Sequence, residues 1–263
     1  MILSESFEAY QAREGARSSI LKEILRSPLH ALEAMKNPKA PTPAMELGTL
    51  VHSCILEPHL FEALIVSPKF DRRTKDGKAQ AQEFEETHKG KMIVGTEDYD
   101  LVSRIVTNVY AHPAAKNELH GSCEQSVLWD EDGIVCKARP DLMREGVIID
   151  VKTTQDASPS GFARQVATLK YHLQAAHYLK GVSINKGVQF EVFKIIAVET
   201  KPPYAVAVYE LDFGTLEAGE ALWAKAFELY RQCITLNEWP GYSENCEPLA
   251  IPAWAFAEAG ETL

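Results

Sequence analysis

One short apolar stretch carries the residues best suited to chemistry. "VIIDVKTT" (147–154) is composed like a strand meant to stay dry, yet it contains Asp150 and Lys152. A third charge, Asp141, precedes it in "RPDLMREGVIID", with Glu145-Gly146 between them as a turn. Pairing about a turn centred on Glu145-Gly146 sets Asp141 directly opposite Asp150. Their β-carbons would then stand about 5 Å apart. Side chains alternate along a strand, so Lys152 shares the Asp150 face while Ile149 and Val151 point into the core. Two carboxylates this close repel, and the remedies are a proton, a cationic side chain or a metal ion. Lys152 supplies one compensating charge. A divalent cation would complete the balance, and oxygen ligands favour Mg²⁺ or Mn²⁺. A plain surface ion pair is the alternative for Asp150 and Lys152 alone, and Asp141 in register weighs against it.

Such a cluster needs a sheet to hold it. From Glu124, "EQSVLWDEDGIVCKARPDLMREGVIIDVKTT" predicts a strand, a turn at Asp130-Glu131-Asp132-Gly133, a second strand, the 145–146 turn and a third strand, together an antiparallel meander. Ser158-Pro159 opens a helix expected to run to Lys180 and to end at Gly181. On it Phe162, Val166, Leu169, Leu173 and Ala176 form a core stripe, and Tyr171, Gln174 and Tyr178 gather opposite. That second face suits a groove for sugar, phosphate or base, or else a covering layer of protein. Two further strands follow, "VQFEVFKIIAVE" and "YAVAVYELD", then a helix from about Thr215 to Asn237, closed by Pro240-Gly241.

The first third reads as helical: Ser18-Ser19 and Ser27-Pro28 start helices, and a third begins near Pro43 carrying Leu47, Leu50, Val51 and Leu56. "PKFDRRTKDGK" (68–78), with Arg72, Arg73 and Lys75, reads as a solvated loop or as a basic arm that touches phosphates. The 263 residues, 46% hydrophobic, suffice for one domain with elaborations. No apolar run approaches the roughly 20 residues of a membrane-spanning helix and no signal peptide is evident, so a soluble, intracellular protein is expected. Five scattered cysteines suggest neither a disulfide framework nor a zinc or iron–sulfur site. A formal charge of −10 excludes a generic nucleic-acid coating protein and makes any nucleic-acid contact local.

The constellation resembles the PD-(D/E)XK nuclease superfamily in its RecB-type branch. Asp141 in "RPD", Asp150-Val151-Lys152 and Gln174-x-x-x-Tyr178 match the later signature elements, and His52 in "GTLVHSCILEP" matches a helical G-x-x-x-H that supplies a metal-ligand histidine. Glu124 resembles an acid often found upstream of the two aspartates. The segments "SSILKEILRSPLHAL", "RRTKDGKAQ", "EWPGY" and "IPAWA" are similar to those of RecE-type exonucleases, exodeoxyribonuclease VIII and its phage relatives. The resemblance implies an α/β (α+β) fold with a central mixed sheet, an antiparallel meander and flanking helices. Residues 1–263 would form a single nuclease domain: 1–115 a mainly helical elaboration carrying His52, 116–238 the catalytic core, and 239–263 a tail. It further implies Mg²⁺ (or Mn²⁺) held by His52, Asp141, Asp150 and the Val151 carbonyl, without an iron–sulfur cluster. Lys152 would orient water or stabilise developing charge. Glu124 would serve a second metal or an outer-sphere water, and Gln174, Tyr178 and Tyr171 would contact DNA. The implied activity is 5′-to-3′ exonucleolysis of linear double-stranded DNA, leaving 3′ overhangs for a RecT-type single-strand annealing protein. A tetrameric ring in a bacterial or phage-infected cytoplasm goes with it. An end-trimming or structure-specific nuclease, or an inactive DNA-binding or assembly module, are the alternatives.

Overall fold

The computed structural model describes residues 1–38 and 40–252. The chain begins with β1 (Ile2–Leu3), α1 (Phe7–Ala12), α2 (Ser18–Ile24), α3 (Pro28–Lys36), α4 (Pro43–Leu56) and α5 (Pro58–Glu62). There follow β2 (Ile65–Ser67), α6 (Lys75–Thr87), β3 (Ile93–Gly95), α7 (Thr96–Ala111) and α8 (Pro113–Glu118). Strands then take over as β4 (Ser122–Cys123), β5 (Ser126–Glu131), β6 (Ile134–Ala138), β7 (Leu142–Arg144) and β8 (Val147–Thr154). The rest is α9 (Pro159–Thr168), α10 (Tyr171–Lys186), β9 (Val192–Glu199), β10 (Val206–Glu210) and α11 (Phe213–Leu236). The helix starts obey local chemistry: Ser27 and Thr42 oxygens accept from the backbone N–H of His30 and Met45, with Pro28 and Pro43 in the first turn.

The main sheet has the order β10-β9-β8-β7-β4, parallel between β8 and β9 and antiparallel elsewhere. A second sheet has the order β1-β5-β6, and β2 and β3 form a parallel pair. The mixed α/β class is therefore as expected, but the meander is not one sheet. β5 and β6 form one hairpin and β7 and β8 another, each in its own sheet, because the chain leaves the ladder at Arg139-Pro140-Asp141. A proline has no N–H to give a ladder, and this one marks the break. The β7/β8 register is the expected one, with Leu142 opposite Ile149 and Arg144 opposite Val147. The parallel β8/β9 step needs a crossover, and α9 with α10 provides it.

Strand β8 is dry on both faces. Ile149 and Val151 join Val51, Ile55, Val102 and Ile105 in one core beneath α4 and α7. Ile148 joins Phe162, Leu173, Phe193, Trp223 and Phe227 in the other, beneath α10 and α11. Asp150 lies on this second face and is 1% exposed.

The single helix expected over 158–180 is two. Lys170 adopts a left-handed conformation (φ 52°) and bends the chain between α9 and α10, which leaves Leu169 exposed and off the expected stripe. Gly181 does not end α10. It is a contact glycine, where a β-carbon would come 2.4 Å from the Trp129 ring, and the helix runs on to a left-handed Gly187. Helix α10 is packed by α2, α11, β5, β6 and β9, and none of its residues from Tyr171 to Lys180 is exposed. The side on which Tyr171, Gln174 and Tyr178 gather is thus covered by protein. "RRTKDGK" is half helical: Lys75 opens α6, Arg72 pairs with Glu85, and Arg73 pairs with Asp71. The end of "IPAWA" and of the expected tail, residues 253–263, lies outside the described residues.

Candidate active site

The site forms where β7 and β8 part. β7 begins at Leu142, so Asp141 stands just off its end, and its Oδ2 accepts a hydrogen bond from the Val151 N–H at 2.6 Å. That bond occupies the backbone of the residue between Asp150 and Lys152 and fixes Asp141 beside them. The Glu124 N–H donates to the Asp141 carbonyl (3.0 Å), continuing the β4/β7 pairing by one step. Glu124 is left-handed (φ 50°), so its side chain turns in toward Asp141 rather than continuing the strand.

His52 arrives from α4. Its Nε2 lies 2.7 Å from Asp141 Oδ2 and its Nδ1 3.3 Å from Glu124 Oε1. Gly48, one helical turn earlier, faces β8, where a β-carbon would make ordinary contact with Thr153 Oγ1 at 3.4 Å. One nitrogen of His52 and one oxygen each of Glu124 and Asp141 lie within 4.8 Å of one another, and this mixed N/O set fits a divalent cation.

Asp150 sits beside this trio with different partners. Its Oδ2 pairs with the Lys152 ammonium, and its Oδ1 accepts from Gln174 Nε2 at 3.0 Å. Gln174 Oε1 accepts in turn from Lys22 Nζ at 3.2 Å. The amide orientation is unambiguous, since a carboxylate only accepts and an ammonium only donates. The Tyr171 ring centre lies 5.0 Å from Lys152 Nζ and 5.1 Å from Lys22 Nζ. Tyr178 packs in the second core near Phe193 and His177.

The electrostatics follow from burial set against neighbours. Burial pushes Asp150 up to about 6, with Asp141 adding to the rise and Lys152 opposing it. Burial pushes Asp141 up as well, but the His52 charge and hydrogen bond, Lys152 and the Val151 N–H together hold it low. Burial alone would neutralise His52, yet Asp141 and Glu124 raise it to about 9. Burial raises Glu124, with Asp141 adding to the rise against His52 and Arg139. Burial and then the Lys152 charge pull Lys22 down to about 7.

Of the residues singled out in the sequence, the structure brings together His52, Glu124, Asp141, Asp150, Val151, Lys152, Gln174 and Tyr171. Tyr178 lies beneath them. Arg72 and Arg73, with local ion pairs, and Lys75 sit on the α6 segment. Two neighbours escaped the sequence reading. Arg139 donates to Glu124 Oε2 (2.6 Å), to Ser126 Oγ (3.0 Å) and to the Glu5 carbonyl (3.1 Å). Its place two residues before Asp141 was the available signal. Lys22 had only its position in an apolar helix, "SILKEIL", as a hint.

A parallel-antiparallel sheet between helices, with D…D-x-K at a strand divergence and Q-x-x-x-Y on the crossover helix, defines the PD-(D/E)XK class. The chain belongs to the family described as "PDDEXK-like domain of unknown function (DUF3799)", whose model matches residues 17–251. Among curated proteins none matches. Among solved structures, a candidate exonuclease of Eubacterium rectale superposes with a TM-score of 0.62 at 14% identity, covering 99% of this chain and 100% of that one. A phage-related exonuclease of Haemophilus somnus 129PT covers 87% and 98% at 12% identity, with a TM-score of 0.38 too low to bear on the fold. No helix among the described residues is long and apolar enough to cross a membrane.

Proposed function

We propose that the protein is a metal-dependent nuclease acting on linear double-stranded DNA, degrading it 5′ to 3′ in the manner of RecE-type exonucleases. The observation that carries this reading is the convergence of His52, Glu124 and Asp141 within 4.8 Å, beside the Asp150–Lys152 pair. His52, Glu124 and Asp141, with Asp150 and the Val151 carbonyl alongside, would hold Mg²⁺ or Mn²⁺. Such an ion, when bound, polarises a phosphoryl oxygen and lowers the pKa of bound water. The chain's own groups do the rest. Lys152 presents its ammonium where charge develops on the phosphoryl group, and Asp150 holds it there. Gln174 fixes the Asp150 carboxylate, and Arg139 fixes Glu124. Residues 1–263 act as one nuclease unit, with 3′ overhangs passed to a RecT-type annealing protein and a homo-oligomeric, tetrameric ring as the working form.

Linear duplex labelled at either end, incubated with and without Mg²⁺, tests the reading. Early release of the 5′ label with retention of the 3′ label, abolished by chelation, is the expected result. Intact DNA with every divalent cation tried would overturn the nuclease assignment. Release of the 3′ label first would overturn the polarity, and cleavage confined to a few terminal nucleotides would favour an end-trimming enzyme.

A further inference from the structure

The main sheet has an open edge at β10. Its ladder to β9 uses alternate residues: the Glu199 N–H donates to the Ala205 carbonyl (2.9 Å) and the Leu211 N–H to the Phe193 carbonyl (3.0 Å). Between them Ala207 stands opposite Ala197 and Tyr209 opposite Ile195. Val206, Val208 and Glu210 therefore turn their N–H and C=O groups outward, and among the described residues nothing answers them. Proteins guard such an edge with a charge, a proline or a bulge. Residues 205–209, Ala-Val-Ala-Val-Tyr, carry no charge and no proline, and the register from Val206 to Glu210 is unbroken. On the Tyr209 face beside this edge lies a groove of about 540 Å³, lined by Phe162 and Val166 of α9, Leu211, and Ala218 of α11.

The segment Glu247-Pro248-Leu249-Ala250-Ile251-Pro252 lacks a partner of its own. It is exposed, belongs to no helix or strand, and makes no backbone hydrogen bond among the described residues. Leu249 is 96% exposed, so the segment does not sit on the edge of its own chain. Pro248 and Pro252 restrict Glu247 and Ile251 to extended backbone. Their spacing also sets a parity: a proline fits a strand only where no N–H is required, so Pro248, Ala250 and Pro252 would face away while Leu249 and Ile251 offer their backbone groups.

We infer that residues 247–252 of one copy of this chain add a strand to the β10 edge of a second copy. In a parallel pairing the Val206 and Val208 carbonyls accept from Leu249 and Ile251, whose own carbonyls accept from the Val208 and Glu210 N–H groups. The Leu249 and Ile251 side chains then share the face of Ala207 and Tyr209, toward the groove. Charge selects this direction. It brings Glu247 toward the turn that carries the exposed Lys201, whereas the reverse direction sets Glu247 against Glu210 or Asp212. The inference deepens the oligomer of the reading above and uses none of the nuclease site. Each copy gives a segment and receives one, a head-to-tail contact that closes into a ring where the rotation permits.

The test compares wild type with the double variant Leu249→Asp/Ile251→Asp, whose two positions are exposed and leave the core untouched, by sedimentation velocity and amide hydrogen exchange. Wild type should be oligomeric and protect the Val208 and Glu210 amides. The double variant should lose both the oligomer and that protection, while Ala207 and Tyr209 stay protected in the β9 ladder. A peptide of residues 244–252 N-methylated at Ala250 should restore the protection to the double variant, and the same peptide N-methylated at Ile251 should not. An oligomer that survives the double substitution, or wild-type Val208 and Glu210 amides that exchange freely, overturns the inference and leaves the ring standing. A wild-type monomer overturns both, even if its own segment covers the edge. Protection restored equally by the two peptides, or by neither, overturns the pairing.

Discussion

His177 should make the protein acid-labile well above the range where carboxylates titrate. It is 0% exposed on α10, three residues after Gln174, and it ties that helix to its surroundings. Its Nδ1 accepts from Trp223 Nε1 (2.9 Å), and its Nε2 faces the Lys137 carbonyl at 3.0 Å. An indole N–H only donates and a carbonyl only accepts, so the ring is fixed as the neutral tautomer with its proton on Nε2. Protonating Nδ1 would set one N–H against another. Burial, together with the nearby Lys22 charge, lowers its pKa to about 4, although the hydrogen bond to the Lys137 carbonyl favours the charged form. The unfolded chain titrates near 6.5. The folded value is the lower of the two, so the stabilisation is complete above about pH 6.5 and is lost as the pH falls toward 4. The full difference amounts to about 3 kcal/mol, of which about 2 kcal/mol is gone by pH 5. Urea unfolding of wild type and His177→Gln at pH 8, 7, 6 and 5 isolates it from every other titrating group. The variant begins less stable, through lost packing, but between pH 8 and 5 it should lose about 2 kcal/mol less than wild type. Parallel pH profiles for the two proteins, or an NMR titration of His177 near 6.5, would refute the reasoning.

Asp150→Asn should abolish hydrolysis while a melting curve shows the fold retained, because the amide can still meet Gln174. Asp150→Ala should instead cost roughly 3 kcal/mol, since it strands the Lys152 ammonium in a buried site. Lys152→Met should reduce turnover by about 10²-fold or more. Calorimetry should find Mg²⁺ affinity preserved in that variant, and a loss as complete as in Asp141→Ala would contradict its assigned role. Neutralising Arg72, Arg73 and Lys75 together should weaken loading on DNA ends most at high salt while sparing very short duplexes, because the ion pairs of the two arginines with Glu85 and Asp71 are exposed and cost little to open. Unchanged salt sensitivity would remove this segment from the DNA path.

The parts legible in the sequence were those set by local rules. The β7/β8 register followed from one turn, the starts of α3 and α4 from Ser27-Pro28 and from Pro43, and the D…D-x-K set from alternation along β8. What sequence could not show was decided by long-range packing. Nothing local says that Arg139-Pro140-Asp141 sends β6 and β7 into separate sheets, although the proline offered a hint. Gly181 looks like a helix stop until Trp129, 52 positions earlier, is seen against it. Tyr171, Gln174 and Tyr178 do share a side of α10, as their spacing implies, but α2 and the strands beyond bury Gln174 and leave Tyr171 and Tyr178 only partly exposed, where an open groove was the alternative. Lys22 was invisible for the same reason, since its meaning depends on Gln174 from a helix 152 residues later.

The charges of this interior explain how an acidic protein can carry a site for DNA. Asp141, Asp150 and Glu124 are answered by His52, Lys152 and Arg139, so three negative groups face three positive ones when His52 is protonated. That near-neutral set makes burial tolerable without an ion. It also means that a divalent cation added to the trio leaves an excess of positive charge, which Lys22 increases. A phosphate is the group that removes the excess. Metal and DNA should therefore tighten each other's binding by the same factor, as linkage requires. Mg²⁺ titrations with and without a phosphorothioate-blocked duplex would measure it, and equal affinities in the two would show that the charges are balanced in some other way. The remaining negative charge of the chain need not oppose this, because exposed acids more than a Debye length of about 10 Å from the pocket are largely screened at 0.1 M salt, whereas the buried cluster is not.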